Sequence, residues 1–249
     1  MKIEEILSLD EMPLKEALKE HLSKTYEKLI DSDGFLYCEG TTPVLLVAHL
    51  DTVHKNLAPP LCFSKSGRYI MSPHGVGGDD RCGVYMILQI IKELKCHVVF
   101  CEQEETGCVG AKKFCKSEIE PDVNYIIEFD RKGYDDAVYY DCENKAFEDF
   151  ISTAGFKTQW GSCSDISYIA PYLNVAAVNL SSGYIDPHQL HEVIDMEYVE
   201  KNAKLALELI KSNSNTKYAY EKKKPKYTAY TNSRYSAFNN SKYDKEEKK

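Results

Sequence analysis

No run of eighteen apolar residues occurs anywhere in the 249-residue sequence, which excludes an apolar membrane-spanning helix. No Cys-x-x-Cys pair occurs either. The nine cysteines stand singly at 38, 62, 82, 96, 101, 108, 115, 142 and 163. An odd number of isolated thiols, several inside apolar segments, reads as free cysteine in a reducing cytosol rather than a disulfide framework. The opening stretch MKIEEILSLDEMPLKEALKE is too acidic and too charged to resemble a secretory signal peptide. A cytoplasmic protein is the expectation. From residue 213 onward Leu, Ile, Val, Met, Cys and Gly are all absent. Such a segment has little to bury against the entropy of ordering, so 213–249 is expected to be a disordered, basic Lys/Tyr/Asn-rich tail.

Charge is divided unevenly. The net charge is −8, with 31 Lys and Arg against 39 Asp and Glu, and the tail carries most of the basic excess. The acidic body that remains argues against a nucleic-acid-binding core. In that body helical and strand-like periods alternate. Leu14, Leu18, Leu22, Tyr26 and Leu29 predict a helix over 13–30. The continuous apolar run Val44–Ala48 predicts a strand buried on both faces. A helix is expected over 81–95, a strand at 97–101, a short helix at 107–116 and strands at 123–129 and 137–142. A helix at 145–155, a Gly/Ser/Cys loop at 161–165, a strand at 174–180 and a helix at 195–212 complete the pattern. Without an internal repeat or linker, residues 1–212 read as one domain, an α/β/α sandwich around a mostly parallel mixed sheet.

Residues with chemistry gather just after these strands, where open α/β sheets bind their ligands. His49-Leu50-Asp51 follows Val44–Ala48, and Gly78-Asp79-Asp80-Arg81 opens a helix. Glu102-Gln103-Glu104-Glu105 follows the 97–101 strand, Asp130 ends the next, and Pro187-His188-Gln189-Leu190-His191-Glu192 comes after the last. Singly, each fits a hydrogen-bonded strand end, a solvated turn or a helix cap. Converging on one sheet edge, two imidazoles and several carboxylates repel unless cations lie between them. Mixed His, Asp and Glu donors suit zinc, with cobalt or manganese as substitutes. This many carboxylates suggests two ions sharing a bridging ligand.

In order and spacing, the motifs VLLVAHLDTVH, GVGGDDRCGV, CEQEETGCVGA, IIEFDRKG and GYIDPHQLHEVIDMEYVE resemble those of the co-catalytic di-zinc exopeptidases. That clan includes tripeptide, leucyl and glutamyl aminopeptidases and glutamate-type carboxypeptidases. The resemblance implies that His49 and Asp130 hold one zinc, Glu105 and His188 the other, and that Asp79 bridges them. It further implies that Asp51 orients His49, that Glu104 is the general base and that the Asp79–Asp80 peptide is cis. His188 is preferred to His191 because Glu192 stands in the clan's spacing to it.

Other residues near the motifs match no ligand position. His54 and His74 are expected at the surface or behind the ligands, Glu102 on the opposite side of its strand end, and Arg81 on the helix surface or against nearby carboxylates. The 161–165 loop either resembles the clan's substrate-side loop or is a plain turn and cap, and Cys163 lacks the context of a nucleophile.

Many clan members insert a lid domain between the late aspartate and the final histidine. Here Asp130 and His188 are too close in sequence for one, so the expectation is a lidless catalytic domain. Tyr184 is then a candidate oxyanion donor, and a homo-oligomer could complete the site. The expected activity is a di-zinc aminopeptidase on short peptides. Alternatives are a deacylase of N-acyl amino acids, a carboxypeptidase, or an inactive relative that binds peptides or proteins.

Overall fold

The computed structural model describes residues 1–55 and 60–224. An eight-stranded mixed sheet runs through the molecule in the order β1 (Leu29–Ser32), β2 (Phe35–Cys38), β6 (Cys96–Cys101), β3 (Thr42–His49), β7 (Tyr125–Arg131), β10 (Ala177–Ser181), β8 (Asp136–Val138) and β9 (Lys157–Gln159). The four central strands β6, β3, β7 and β10 are parallel to one another, as are β8 and β9, while the β1–β2 hairpin and β8 join antiparallel. A small second sheet joins β11 (Tyr184–Ile185), β12 (Val193–Asp195), β5 (Tyr69–Met71) and β4 (Cys62–Phe63).

The central strands are apolar throughout because both faces are covered. In β3, Val44, Leu46 and Ala48 point into one core, and Leu45 and Val47 into another. The first core packs under α1 (Ile3–Leu7), α2 (Glu11–Leu22), α3 (Gly78–Ile90), α5 (Lys145–Ser152) and α7 (Met196–Asn213). The second packs under α4 (Val109–Phe114) and α6 (Ile166–Leu173). The architecture is the expected three-layer α/β/α sandwich with a mostly parallel sheet. All nine cysteines are free, and no helix among the described residues is long and apolar enough to cross a membrane.

Three sequence expectations require correction. The helix predicted over 13–30 ends at Leu22. The hydroxyl of Tyr26 donates to the Cys96 carbonyl at 2.7 Å, and Leu29 opens a hairpin whose two-residue Asp33-Gly34 loop was a legible strand signal. The tail does not become unstructured at 213. Residues 214–224 lie along the domain: Tyr218 is buried, its amide donates to the Asn124 carbonyl at 2.9 Å, and its ring stacks on Phe150 at 5.7 Å. Tyrosine supplied the apolar surface that the missing aliphatics could not. Residues 225–249 of the expected tail lie outside the described residues. Arg81, finally, is not at the surface. It is fully buried, and its Nη1 donates to the backbone carbonyls of Ile6 and Leu9.

Glu102 does turn away from its neighbours, into a buried ion pair with Lys15 of α2. Lys15 also meets Asp31 of β1 at 2.9 Å, so α2, β1 and the residue after β6 are tied through one ammonium. Removing one partner of a buried pair strands the other, which typically costs about 3–5 kcal/mol. Lys15→Met should lower the urea midpoint accordingly, whereas Lys24→Met, from an exposed pair with Glu20, should leave it nearly unchanged.

Candidate active site

The C-terminal ends of β6, β3 and β7 lie side by side, so the residues that follow them converge. His49 is the last residue of β3. Its Nδ1 faces the Asp51 carboxylate at 3.2 Å, and its Nε2 faces Asp79 Oδ1 at 3.2 Å and Asp130 Oδ1 at 3.5 Å. A proton on Nδ1, given to Asp51, leaves the Nε2 lone pair aimed at that gap. The other oxygen of Asp79 lies 3.1 Å from His188 Nε2, which is itself 3.0 Å from Glu105 Oε1. One carboxylate thus reaches towards both imidazoles. The structure brings together His49, Asp79, Glu105, Asp130 and His188. His191 stays outside, 3.6 Å from Asp186.

Backbone features make the convergence possible. Gly77, at φ 65, turns the chain into α3, Asp79 keeps an extended ψ of 107 inside the first turn, and the Asp79–Asp80 peptide is cis. His188 sits at φ 65 in the left-handed region. Asp51 is shared by two elements. Besides facing His49, its two oxygens accept the amides of Glu104 and Glu105 at 2.9 and 3.0 Å. Asp130 is held by three donors: the Ser164 hydroxyl at 2.8 Å, the Tyr184 hydroxyl at 3.2 Å and, through its backbone carbonyl, the Asn179 amide at 3.0 Å. Tyr184 is therefore a buried support of Asp130 and is spent as an oxyanion donor. The 161–165 loop meets the site through Ser164, while Cys163 is exposed.

Glu192 and Asp165 carry more than the sequence reading gave them. Glu192 is completely buried and accepts the amides of Gly77 and Asp79 at 3.0 and 3.1 Å, with His54 Nε2 also at 3.0 Å. It braces the loop that presents Asp79, and His54 braces it in turn. Asp165 is buried with neither oxygen partnered, and burial pushes it up to about 8. No sequence pattern separated it from an ordinary helix cap.

The electrostatics ask for cations. Burial opposes charge on His49, yet the hydrogen bonds to Asp130, Asp51 and Asp79 outweigh it and hold the imidazole well above its ordinary value. Burial likewise resists the Asp79 charge, but His188 and His49 win and keep its carboxyl low. Burial, with the neighbouring Asp79 charge, pushes Glu105 up to about 7. Burial also pushes Glu104 up to about 7 against the pull of His49, with Asp130 and Glu105 adding to the push.

A metal fits these residues. The buried Oε1 of Glu105 has no hydrogen-bond partner although His188 Nε2 is close, so both are aimed at a common point. Donor atoms of His49, Asp79 and Glu105 lie within 4.8 Å of one another. Two ligands about 2.0–2.1 Å from one tetrahedral zinc sit roughly 3.3 Å apart, which is close to the separations seen here. Asp80 also lies within that range of His49 and Asp130, but its oxygens already accept the amides of Gly83 and His49 at 3.0 and 3.3 Å.

A model of peptidase family M28 matches residues 37–166, just over half of the chain. The chain belongs to peptidase family M28. As an M28 chain it is a peptide hydrolase of the metallopeptidase type. It is similar in fold to the aminopeptidase PepT from Bacillus cereus, at 15% identity over 84% of this chain and 96% of that one, with a TM-score of 0.71. A tripeptidase from Staphylococcus aureus matches at 14% identity over 84% and 96%, with a TM-score of 0.70. An aminopeptidase from the archaeon Desulfurococcus kamchatkensis matches at 18% identity over 85% and 94%, with a TM-score of 0.63. No curated protein sequence matches the chain. At these identities the likeness to solved structures establishes the fold.

If this M28 site holds metal, zinc added to metal-free protein should raise its thermal stability, by about 2.7 kcal/mol at a hundredfold excess over Kd. Asp79→Ala, which removes the carboxylate facing both imidazoles, should abolish most of that gain in a calorimetric scan. An undiminished gain in the variant would place the zinc elsewhere.

Proposed function

We propose that the chain is a di-zinc aminopeptidase acting on short peptides. The observation that carries this reading is the Asp79 carboxylate, with one oxygen towards His49 and the other towards His188. That is the arrangement a bridging ligand needs. His49 and Asp130 would hold one ion, His188 and Glu105 the other, and Asp79 both. Such a pair, when bound, polarises a carbonyl and makes water more acidic; cobalt or manganese could take zinc's place.

The chain's own residues supply the remaining chemistry. Glu104 is half-buried beside this cluster, and Cys108 Sγ contacts its Oε1 at 3.4 Å. A carboxylate placed beside the cluster suits a group that must take a proton from the attacking water and release it to the departing amine. Asp51 keeps His49 in the tautomer whose Nε2 faces the site and fixes the turn carrying Glu104. The site is open to solvent. The His188 side chain is 48% exposed, and the short span from Asp130 to His188 is filled by core elements rather than by a covering domain.

The names of similar structures, an aminopeptidase and a tripeptidase, favour cleavage from the amino end over N-acyl amino acid deacylation. A homo-oligomer is part of the proposal, since the Pyrococcus horikoshii TET1 peptidase, 17% identical with a TM-score of 0.60, can assemble into a tetrahedron or a large octahedral shell. The reading places the enzyme in the cytoplasm, in keeping with its nine free thiols.

Glu104→Gln should retain zinc, measured by elemental analysis, while turnover of aminoacyl-anilides falls by roughly 100-fold or more. Undiminished turnover would remove Glu104 from the mechanism. Wild-type protein that binds two zinc ions per chain and cleaves N-acyl amino acids but no anilide would move the assignment to a deacylase. Protein that binds no zinc would favour a peptide-binding relative.

A further inference from the structure

The segment that carries Glu104 has to leave β6 and turn sharply, with Gln103 at φ 57, a conformation that a side-chain-bearing residue adopts only when its surroundings impose it. Four successive backbone amides impose it here. Glu102 donates to the Gly34 carbonyl at 2.9 Å, Gln103 to Glu11 Oε1 at 2.9 Å, and Glu104 and Glu105 to Asp51. One of these acceptors belongs to α2, which also adds a side-chain anchor. Glu11, in its first turn, takes the Gln103 amide, and Lys15, one turn later on the same helix face, takes the buried Glu102 carboxylate. The start of α2 is fixed in turn by Arg81, whose guanidinium spans from α3 to the carbonyls of Ile6 and Leu9. Arg81 stands two residues after Asp79, so the helix that grips the Glu104 turn is tied to the element presenting the shared carboxylate.

We propose that Glu11 and Lys15 are positioning residues for the reaction, holding residues 102 and 103 so that Glu104 meets its proton at the correct place. The inference rests on Glu104 acting as the general base. Neither residue reaches the site. Asp51 alone fixes the amides of Glu104 and Glu105, but the turn's approach from β6 is set one and two residues earlier, where α2 acts. Small displacements of a proton-transfer group reduce kcat steeply and leave substrate binding largely intact.

Glu11 provides the test because its half-exposed position lets the fold tolerate substitution. In the full-length, zinc-loaded enzyme, Glu11→Ala should lower kcat by roughly tenfold or more, with KM and zinc content little changed. Amide hydrogen exchange in the 101–108 peptide should accelerate while exchange in the central strands stays as in the wild type. Glu11→Gln, whose amide oxygen can accept the same Gln103 donor, should recover most of kcat and the slow exchange. Unaltered exchange in Glu11→Ala would overturn the clamp, and faster exchange with unaltered kcat would overturn the positioning role. A Glu104→Gln enzyme with full turnover would overturn it differently, by removing the group being positioned, and the exchange data tell this from a missing clamp.

Discussion

The site depends on the carboxylate of Asp51. Its oxygens face the Nδ1 of His49 on β3 and accept the amides of Glu104 and Glu105 beyond β6. Neighbouring parallel strands deliver these groups, and Asp51 turns that adjacency into a fixed relation between an imidazole and a glutamate pair. Its charge is the reason it can do so. Burial disfavours an ionised carboxylate there, yet His49 and the two amides outweigh burial and hold it below the usual carboxylate value.

A similar economy operates on the other side of the cluster. Glu192 grips the loop of Asp79 through two amides, with His54 behind it, and Asp130 is enclosed by Ser164, Tyr184 and Asn179. His49, the loop of Asp79 and Asp130 are thus backed by hydrogen bonds that limit their freedom, whereas the Glu105 carboxylate faces the gap with its Oε1 unpartnered. Carboxylates that would otherwise repel are thereby kept close, and the resulting strain in charge is what a bound cation would relieve.

The sequence carried the sandwich and its motif-bearing strand ends because both are written in short-range terms. The unbroken apolar run of β3 reports burial on two faces, and the donors follow strands directly. What it hid depends on distant partners. Tyr26 and Leu29 continue a helical period, yet Tyr26 bonds to the far end of β6 and the chain becomes a hairpin. Arg81 has the look of a surface residue until the N-terminal carbonyls close around it. Tyr218 lies in a segment whose composition suggests solvent, but three aromatic side chains of the domain await it. Glu192, Asp165 and Tyr184 gain their surroundings only when loops far apart in sequence meet.

The order in which the donors occur along the chain has a consequence for biosynthesis. His49, Asp79, Glu105 and Asp130 emerge from the ribosome well before His188. A nascent chain that has folded its central strands therefore exposes a crowded acidic pocket with only one of its two imidazoles. The second imidazole therefore joins the cluster from outside the four central strands, through the segment that follows β10.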